Sequence, residues 1–226
     1  MPFDLVKDEI YDRQAFEVMG RVLSSESCCV DIGCHQGQFL TEYLRCAPNG
    51  THYAFEPIPY LFEQLCRDFD AAKIFNYALS DKAGETSFYI LPDKPALSGL
   101  NRRDTISGEL PRQEITIQTE RLDNVIPADV KIDFMKIDVE GAEGCVISGA
   151  LEMITRDKPF IVLEHGEDSS LLFGMSSENI YDMLVTHCGL RLSLLPDWLS
   201  GKQPLTKREF LSQRGCWYFL AHPEGA

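Results

Sequence analysis

Val30-Asp31-Ile32-Gly33-Cys34-His35-Gln36-Gly37 decides the fold of this chain: an apolar run ends in an acid and a glycine, and a second glycine precedes the helical spacing of Gln38 to Cys46. A strand that turns into a helix through glycines is the opening of a β-α-β unit. Its bare backbone lies at the carboxyl edge of the sheet, where a ligand can approach closely. The spacing G-x-x-x-G lacks the middle glycine of G-x-G-x-x-G. The turn therefore suits a nucleoside or amino-acid moiety better than a pyrophosphate lying over the helix start.

Outward from this stretch, Asp8 to Leu23 places Ile10, Phe16, Val18, Met19 and Val22 at helical spacing, a leading helix within residues 1–27. The first strand is Cys28 to Ile32, followed by a helix over Gln38–Cys46 and a strand at His52–Glu56. A helix from Pro59 to Phe69, opened by its proline, leads to a third strand at Lys73–Leu79. Thr86–Leu91 and Glu114–Thr119 alternate like half-exposed strands and predict an inserted hairpin within residues 84–120. Its connection, Pro92 to Pro111, holds Pro95, Gly99 and Gly108 and is expected to be a mobile lid. Regular alternation resumes with a strand at Asp133–Val139, a helix over Ala142–Arg156 and a strand at Phe160–Glu164. Ser177 and Glu178 open a helix to Cys188, with Gly189 at its C′ position. Arg191–Leu195 and Cys216–Ala221 are expected to be strands joined by a loop bearing Pro and Gly. The pattern predicts one α/β domain over residues 1–226, with a mostly parallel seven-stranded sheet and helices on both faces.

Composition narrows the partners. With 21 basic and 35 acidic residues the formal charge is -14, which repels phosphate backbones and anionic lipid. Arg102, Arg103 and Arg112 are interrupted by Asp104 and Glu109 and make a solvated loop rather than a nucleic-acid patch. None of the eight cysteines forms a C-x-x-C pair, so they are expected to be small buried hydrophobes rather than zinc ligands. No run approaches the ~20 apolar residues of a spanning helix, and the amino terminus lacks a basic region followed by an apolar one. A cytoplasmic, reduced protein without nucleic-acid or membrane partners is expected.

Three further segments point to one cleft. Glu56, at the end of the second strand and followed by Pro57, can accept from both hydroxyls of a ribose. Asn76-Tyr77-Ala78-Leu79-Ser80-Asp81 ends the third strand, where Ala78 and Leu79 offer apolar contact to a nucleobase. Met135-Lys136-Ile137-Asp138-Val139-Glu140-Gly141-Ala142-Glu143 puts several carboxylates at the fourth strand end. So acidic a mouth serves a cationic sulfonium and offers nothing to a phosphate. Taken singly, Asp31 and Gly33 would be an ordinary turn, Glu56 a strand-end acid, and Glu140 or Glu143 a complement to a helix dipole. Their order at successive strand ends is what favours a cofactor. Asp138, and His165 just past the fifth strand, are the candidate bases. Asp138, Glu164 and His165 together would also suit a divalent metal.

Val-Asp-Ile-Gly-x-x-x-Gly, Phe-Glu-Pro, Ala-Leu-Ser-Asp and Lys-Ile-Asp-Val-Glu-Gly-Ala-Glu, in that order between Cys28 and Glu164, resemble the FkbM family of methyltransferases. The most specific piece is Lys136 to Glu143 with Gly149-Ala150. The resemblance implies a Rossmann-like methyltransferase fold and methyl transfer from S-adenosylmethionine to a hydroxyl of a small molecule or sugar. It implies that Asp31, Gly33 and Gly37 line the methionine side of the cofactor. Glu56 and Pro57 would serve the ribose, Ala78 and Leu79 the adenine. Leu97-Ser98-Gly99-Leu100 resembles a serine-bearing loop near the active site, and His35 stands where relatives often carry asparagine. From about Ser170 onward no motif is recognised, and acceptor selectivity is expected there. A nucleotide-dependent oxidoreductase and a non-catalytic binder of the same nucleoside are the competing classes.

Overall fold

The computed structural model describes residues 2–101, 111–213 and 218–226. Seven strands form the main sheet: β1 (Cys29–Ile32), β2 (His52–Phe55), β3 (Lys73–Phe75), β7 (Phe134–Ile137), β8 (Phe160–Glu164), β9 (Arg191–Leu194) and β10 (Tyr218–His222). A three-stranded sheet holds β4 (Ala78–Leu79), β5 (Gly84–Ile90) and β6 (Gln113–Glu120). The main order is β3-β2-β1-β7-β8-β10-β9, with β10 antiparallel to both of its neighbours and the other pairs parallel.

A parallel sheet covered on both faces needs largely apolar strands, and β1, β2 and β7 are buried at every residue, with Asp31, His52 and Lys136 as their polar members. Alternation sorts their side chains. Cys29, Ala54, Phe134 and Val162 pack beneath α1 (Pro2–Val22) and α2 (Gln38–Cys46), against Val18, Met19, Leu40 and Tyr43. Val30, Ile32, Met135, Ile137 and Leu163 face the opposite layer, where Ile147, Ile154, Ile180 and Leu184 lie. The chain runs outward from β1 through β2 to β3 and then returns to place β7 on the other side of β1. This reversal opens a crevice at the carboxyl ends of β1 and β7. No helix among the described residues is long and apolar enough to cross a membrane.

Three expected elements are divided. The third strand breaks at Asn76, whose Nδ2 donates to the carbonyls of Glu56 (2.8 Å) and Pro57 (3.1 Å). Ala78 and Leu79 then pair with β6 instead of β2. The helix expected over Ala142–Arg156 is two, Glu143–Ser148 and Leu151–Asp157. At the break, a Cβ on Gly149 would lie 2.0 Å from the Ser80 carbonyl oxygen. The Asp123 N–H donates to the Gly149 carbonyl, and the Asp123 carboxylate caps the second helix through Glu152 N (3.2 Å) and Met153 N (3.0 Å). The helix expected over Ser177–Cys188 is α-helical only to Tyr181 and widens into a π-turn over Asp182–His187, with Gly189 following at φ +69°.

The connection between β9 and β10 is not a plain loop: it carries the helices Leu195–Leu199 and Lys207–Ser212. The expected strand start at Cys216 lies outside the described residues. The hairpin of β5 and β6 is as expected, in register from Gly84 opposite Thr119 to Ile90 opposite Gln113. Of the expected lid, residues 102–110, with Arg102, Arg103, Ile106 and Gly108, lie outside the described residues. The part before them folds back on β5: Tyr89 and Gly99 exchange backbone hydrogen bonds (2.9 and 3.2 Å), and Leu91 N donates to Ser98 Oγ (3.0 Å).

Candidate active site

The crevice at the switch point is a cavity with three walls. Gly33 and His35 come from the β1 turn, and Glu56, Pro57 and Ile58 from the end of β2. Tyr77, Ala78, Leu79 and Phe88 form an apolar side that Pro95, Ala96, Ser98 and Leu100 extend. Asp138, Val139 and Glu140 close it from β7. The β1 turn and the β7 end touch backbone to backbone: Gly33 has φ +74°, and a Cβ there would lie 2.0 Å from the Asp138 carbonyl oxygen. His35 also takes a left-handed conformation, φ +48°. Asparagine and histidine are both enriched in that region, so the exchange noted in the sequence is one the backbone tolerates.

Glu56 is buried, and each of its oxygens accepts one backbone N–H: Oε2 from His35 (2.9 Å) and Oε1 from Ile58 (2.9 Å). Each oxygen retains a lone pair for a further donor. Burial pushes this carboxyl up to about 7, against the pull of those two N–H groups and of Lys136. His35 Nε2 is buried with no hydrogen-bond partner among the described residues, and burial, with Lys136, lowers its pKa.

Asp138 is the centre of charge. Its Oδ2 lies 3.2 Å from Lys136 Nζ and accepts from Tyr218 Oη at 3.3 Å. Burial would raise its pKa, but Lys136 and hydrogen bonds from Glu164 and Tyr218 outweigh it and hold the carboxyl below its usual value. Glu164 moves the other way: burial, then the negative charge of Asp138, push it well up. One proton thus stays on Glu164, donated to an ionised Asp138. Carboxylate oxygens of Asp138, Glu140 and Glu164 lie within 4.8 Å of one another.

Glu143 belongs to the turn rather than to the cavity. Its Oε1 accepts from Val139 N (3.2 Å) and Gly141 N (2.8 Å), while burial drives its pKa to about 7. A carboxyl raised from ~4.3 to this value holds a proton in the folded state that the unfolded chain releases, so its contribution to stability declines as pH rises between these values. Glu143→Gln is therefore expected to melt about 2–6 °C above wild type at pH 8.5, the gap closing toward pH 5.5. A gap independent of pH in thermal melts would contradict the assignment.

Three residues expected at the site stand apart from the cavity. Asp31 points into the α1/α2 layer, 1% exposed, with Lys136 Nζ at 3.9 Å; burial pushes it up to about 6. Gly37 is a packing glycine, since a Cβ there would lie 2.5 Å from the Phe69 ring. His165 is buried and stacked on Phe210, with Ser177 Oγ at 2.7 Å from Nε2 and Ser170 Oγ at 3.1 Å from Nδ1. Ser177 Oγ donates to Glu167, so Nε2 must carry the proton and Nδ1 must accept from Ser170. A neutral imidazole engaged on both sides is not poised to take an acceptor's proton. The metal set expected from Asp138, Glu164 and His165 is not assembled: the imidazole is committed to Ser170 and Ser177, and Asp138 and Glu164 group with Glu140 instead.

The model of the methyltransferase FkbM domain matches residues 31–192. The chain belongs to the FkbM methyltransferase family. It is 27% identical over 175 residues to the 2-O-methyltransferase NoeI of Sinorhizobium fredii, covering 69% of this chain and 70% of that relative. The crystal structure of methyltransferase FkbM from Methylobacillus flagellatus KT superposes with a TM-score of 0.57 at 15% identity, over 88% of this chain. This chain spans 44% of that protein, and the likeness is one of fold.

An FkbM methyltransferase uses S-adenosylmethionine, and the cavity suits that molecule: Glu56 has lone pairs to offer, Ala78 and Leu79 give an apolar side, and His35 Nε2 is an unanswered polar atom. Not expected from sequence was the lysine behind the cavity wall, which donates to the Gly33 carbonyl and pairs with Asp138. Lys136 was legible only as part of a motif, although alternation from Phe134 places it beside Asp31 across the β1–β7 pair. Tyr218 carried no signal, because it sits in no motif.

Proposed function

We propose that this FkbM methyltransferase moves the methyl group of S-adenosylmethionine to a hydroxyl oxygen of a small molecule or sugar, within one domain over residues 1–226. The observation that carries the reading is that Asp138, paired with Lys136 at 3.2 Å, lines the cavity that also contains Glu56. Support for oxygen as the acceptor atom comes from the name of the relative NoeI, a 2-O-methyltransferase. When bound, the cofactor supplies an electrophilic methyl on a sulfonium, which an in-line nucleophile can displace. The chain supplies the rest. Glu56 and Pro57 hold the ribose; Ala78 and Leu79 hold the adenine; Gly33 and His35 lie by the amino-acid end; Ser98 stands near the acceptor. Asp138 takes the proton from the acceptor hydroxyl as its oxygen bonds to the methyl carbon. The test is transfer of labelled methyl from S-adenosylmethionine into a fractionated metabolite extract, followed by mass analysis of the labelled product. An O-methyl product is expected. A labelled amine or carbon would overturn the acceptor class, and binding without transfer would leave a non-catalytic relative.

Glu56→Ala is expected to weaken S-adenosylhomocysteine binding by about 1–3 kcal/mol, the cost of stranding the His35 and Ile58 N–H groups and the ribose hydroxyls. Because the empty carboxyl titrates near 7 and must be ionised to accept, wild-type affinity should rise from pH 6 to pH 8. Calorimetry on the folded proteins measures both. An alanine variant with unchanged affinity removes Glu56 from the site.

A further inference from the structure

We propose that Lys136 is a positioning residue that fixes the shape of the β1 turn and maintains the negative charge of Asp138 toward a bound sulfonium. The inference rests on the S-adenosylmethionine reading above.

Lys136 and Asp31 are register partners in the parallel pair of β7 and β1, and both face the α1/α2 layer. A buried ammonium is tolerated only among countercharges and hydrogen-bond acceptors, and this one has both. Its Nζ donates to the Gly33 carbonyl at 2.8 Å, lies 3.2 Å from Asp138 Oδ2 and 3.9 Å from Asp31 Oδ1, and sits 5.5 Å over the Phe39 ring. The residue is only 6% exposed, so water does not take over these contacts. One side chain thus ties the turn after β1 to the carboxylate after β7, across the strand reversal.

The groups around Asp138 come from five directions. Lys136 and Glu140 share its segment; Asp31 and His35 belong to β1 and its turn. Glu164 comes from β8, Tyr218 from β10 and Glu143 from the helix that follows. Among these described neighbours Lys136 is the one lasting cation, because His35 is held neutral by burial. Burial pulls the lysine pKa down, but Asp138 and Asp31 raise it further, so the charge persists through neutral pH. Without it, Asp31, Asp138, Glu140 and Glu164 face one another, and Asp138 takes up a proton at a higher pH than in the wild type.

S-adenosylmethionine and S-adenosylhomocysteine differ at the sulfur by one charge, so their affinity ratio reports the charge nearby while common contacts cancel. Between pH 8.5 and pH 6 this ratio should fall about tenfold more in Lys136→Met than in the wild type. Lys136→Arg, which keeps the cation, should follow the wild-type slope. Lys136→Gln keeps a donor for the Gly33 carbonyl without the charge, should behave as Lys136→Met, and decides the matter if the methionine variant does not fold. Calorimetry with both nucleosides across this range is the measurement. If the neutral variants weaken both ligands equally at every pH, Lys136 is only a structural clamp and the proposal is overturned. If the wild type binds neither nucleoside, it is the cofactor reading that fails.

Discussion

Gly33→Val is expected to abolish S-adenosylhomocysteine binding and to destabilise the fold by about 2–5 kcal/mol. Two costs add. A β-branched residue at φ +74° is strained by about 1–2 kcal/mol, and its Cβ would press on the Asp138 carbonyl, 2.0 Å away, at an overpacking cost of about 1–3 kcal/mol. The obstacle is backbone, which cannot rotate aside as a side chain would, so relief requires the ends of β1 and β7 to part. That movement pulls the Gly33 carbonyl from Lys136 and the His35 N–H from Glu56. The structure couples the two losses. A valine variant that melts with the wild type and still binds the nucleoside would show that the β1 turn is not the cofactor's floor.

Asp138→Asn should lower the rate of methyl transfer by about 10²–10⁴-fold, the usual worth of a positioned general base. The amide keeps the shape of the side chain and can still accept from Tyr218 Oη, now at 3.3 Å from Oδ2, but it cannot hold the acceptor's proton. S-adenosylhomocysteine, which makes no demand on that proton, should bind within a few-fold of wild type. Single-turnover transfer into the extract fraction that accepts methyl from the wild type measures the first effect, and calorimetry the second. A rate within tenfold of wild type would remove Asp138 as the base. His165→Gln is a useful contrast. Its ring is held by Ser170 and Ser177 away from the cavity, so the substitution should act on stability more than on rate.

Much of this arrangement could be read from the chain because parallel strands ending in glycine and acid write both fold and site into short segments. β1, β2, β7 and β8 are found within a residue or two of their expected limits, since a strand buried on both faces leaves a mostly apolar run. What escaped detection was settled by partners distant in sequence. Gly149 splits a helix because Ser80 approaches it, and Asn76 ends a strand because two carbonyls accept from it. The candidate site divides in the same way. Gly33, His35, Glu56, Pro57, Ala78, Leu79, Ser98 and Asp138 converge on the cavity, whereas Asp31, Gly37 and His165 do not. Asp31 and Gly33 are two positions apart and share a face, yet one is inside the layer beneath the sheet and the other beyond its edge. Spacing gives the face, and only the length of the strand decides which residue clears it.

The reversed strand β10 fills a gap in the sheet. It occupies a slot between β8 and β9, which are not paired with each other, and it follows every other strand along the chain. Without β10 the border of β8, formed by Ile161, Val162 and Leu163, all fully buried in the sheet, would lie open. An apolar strand edge held open invites pairing with another chain. Tyr218 to His222 thus complete this sheet among the described residues, and Tyr218 brings with it a hydroxyl for Asp138. The strand that fills the slot thus also supplies a hydrogen bond to the carboxylate proposed as the base.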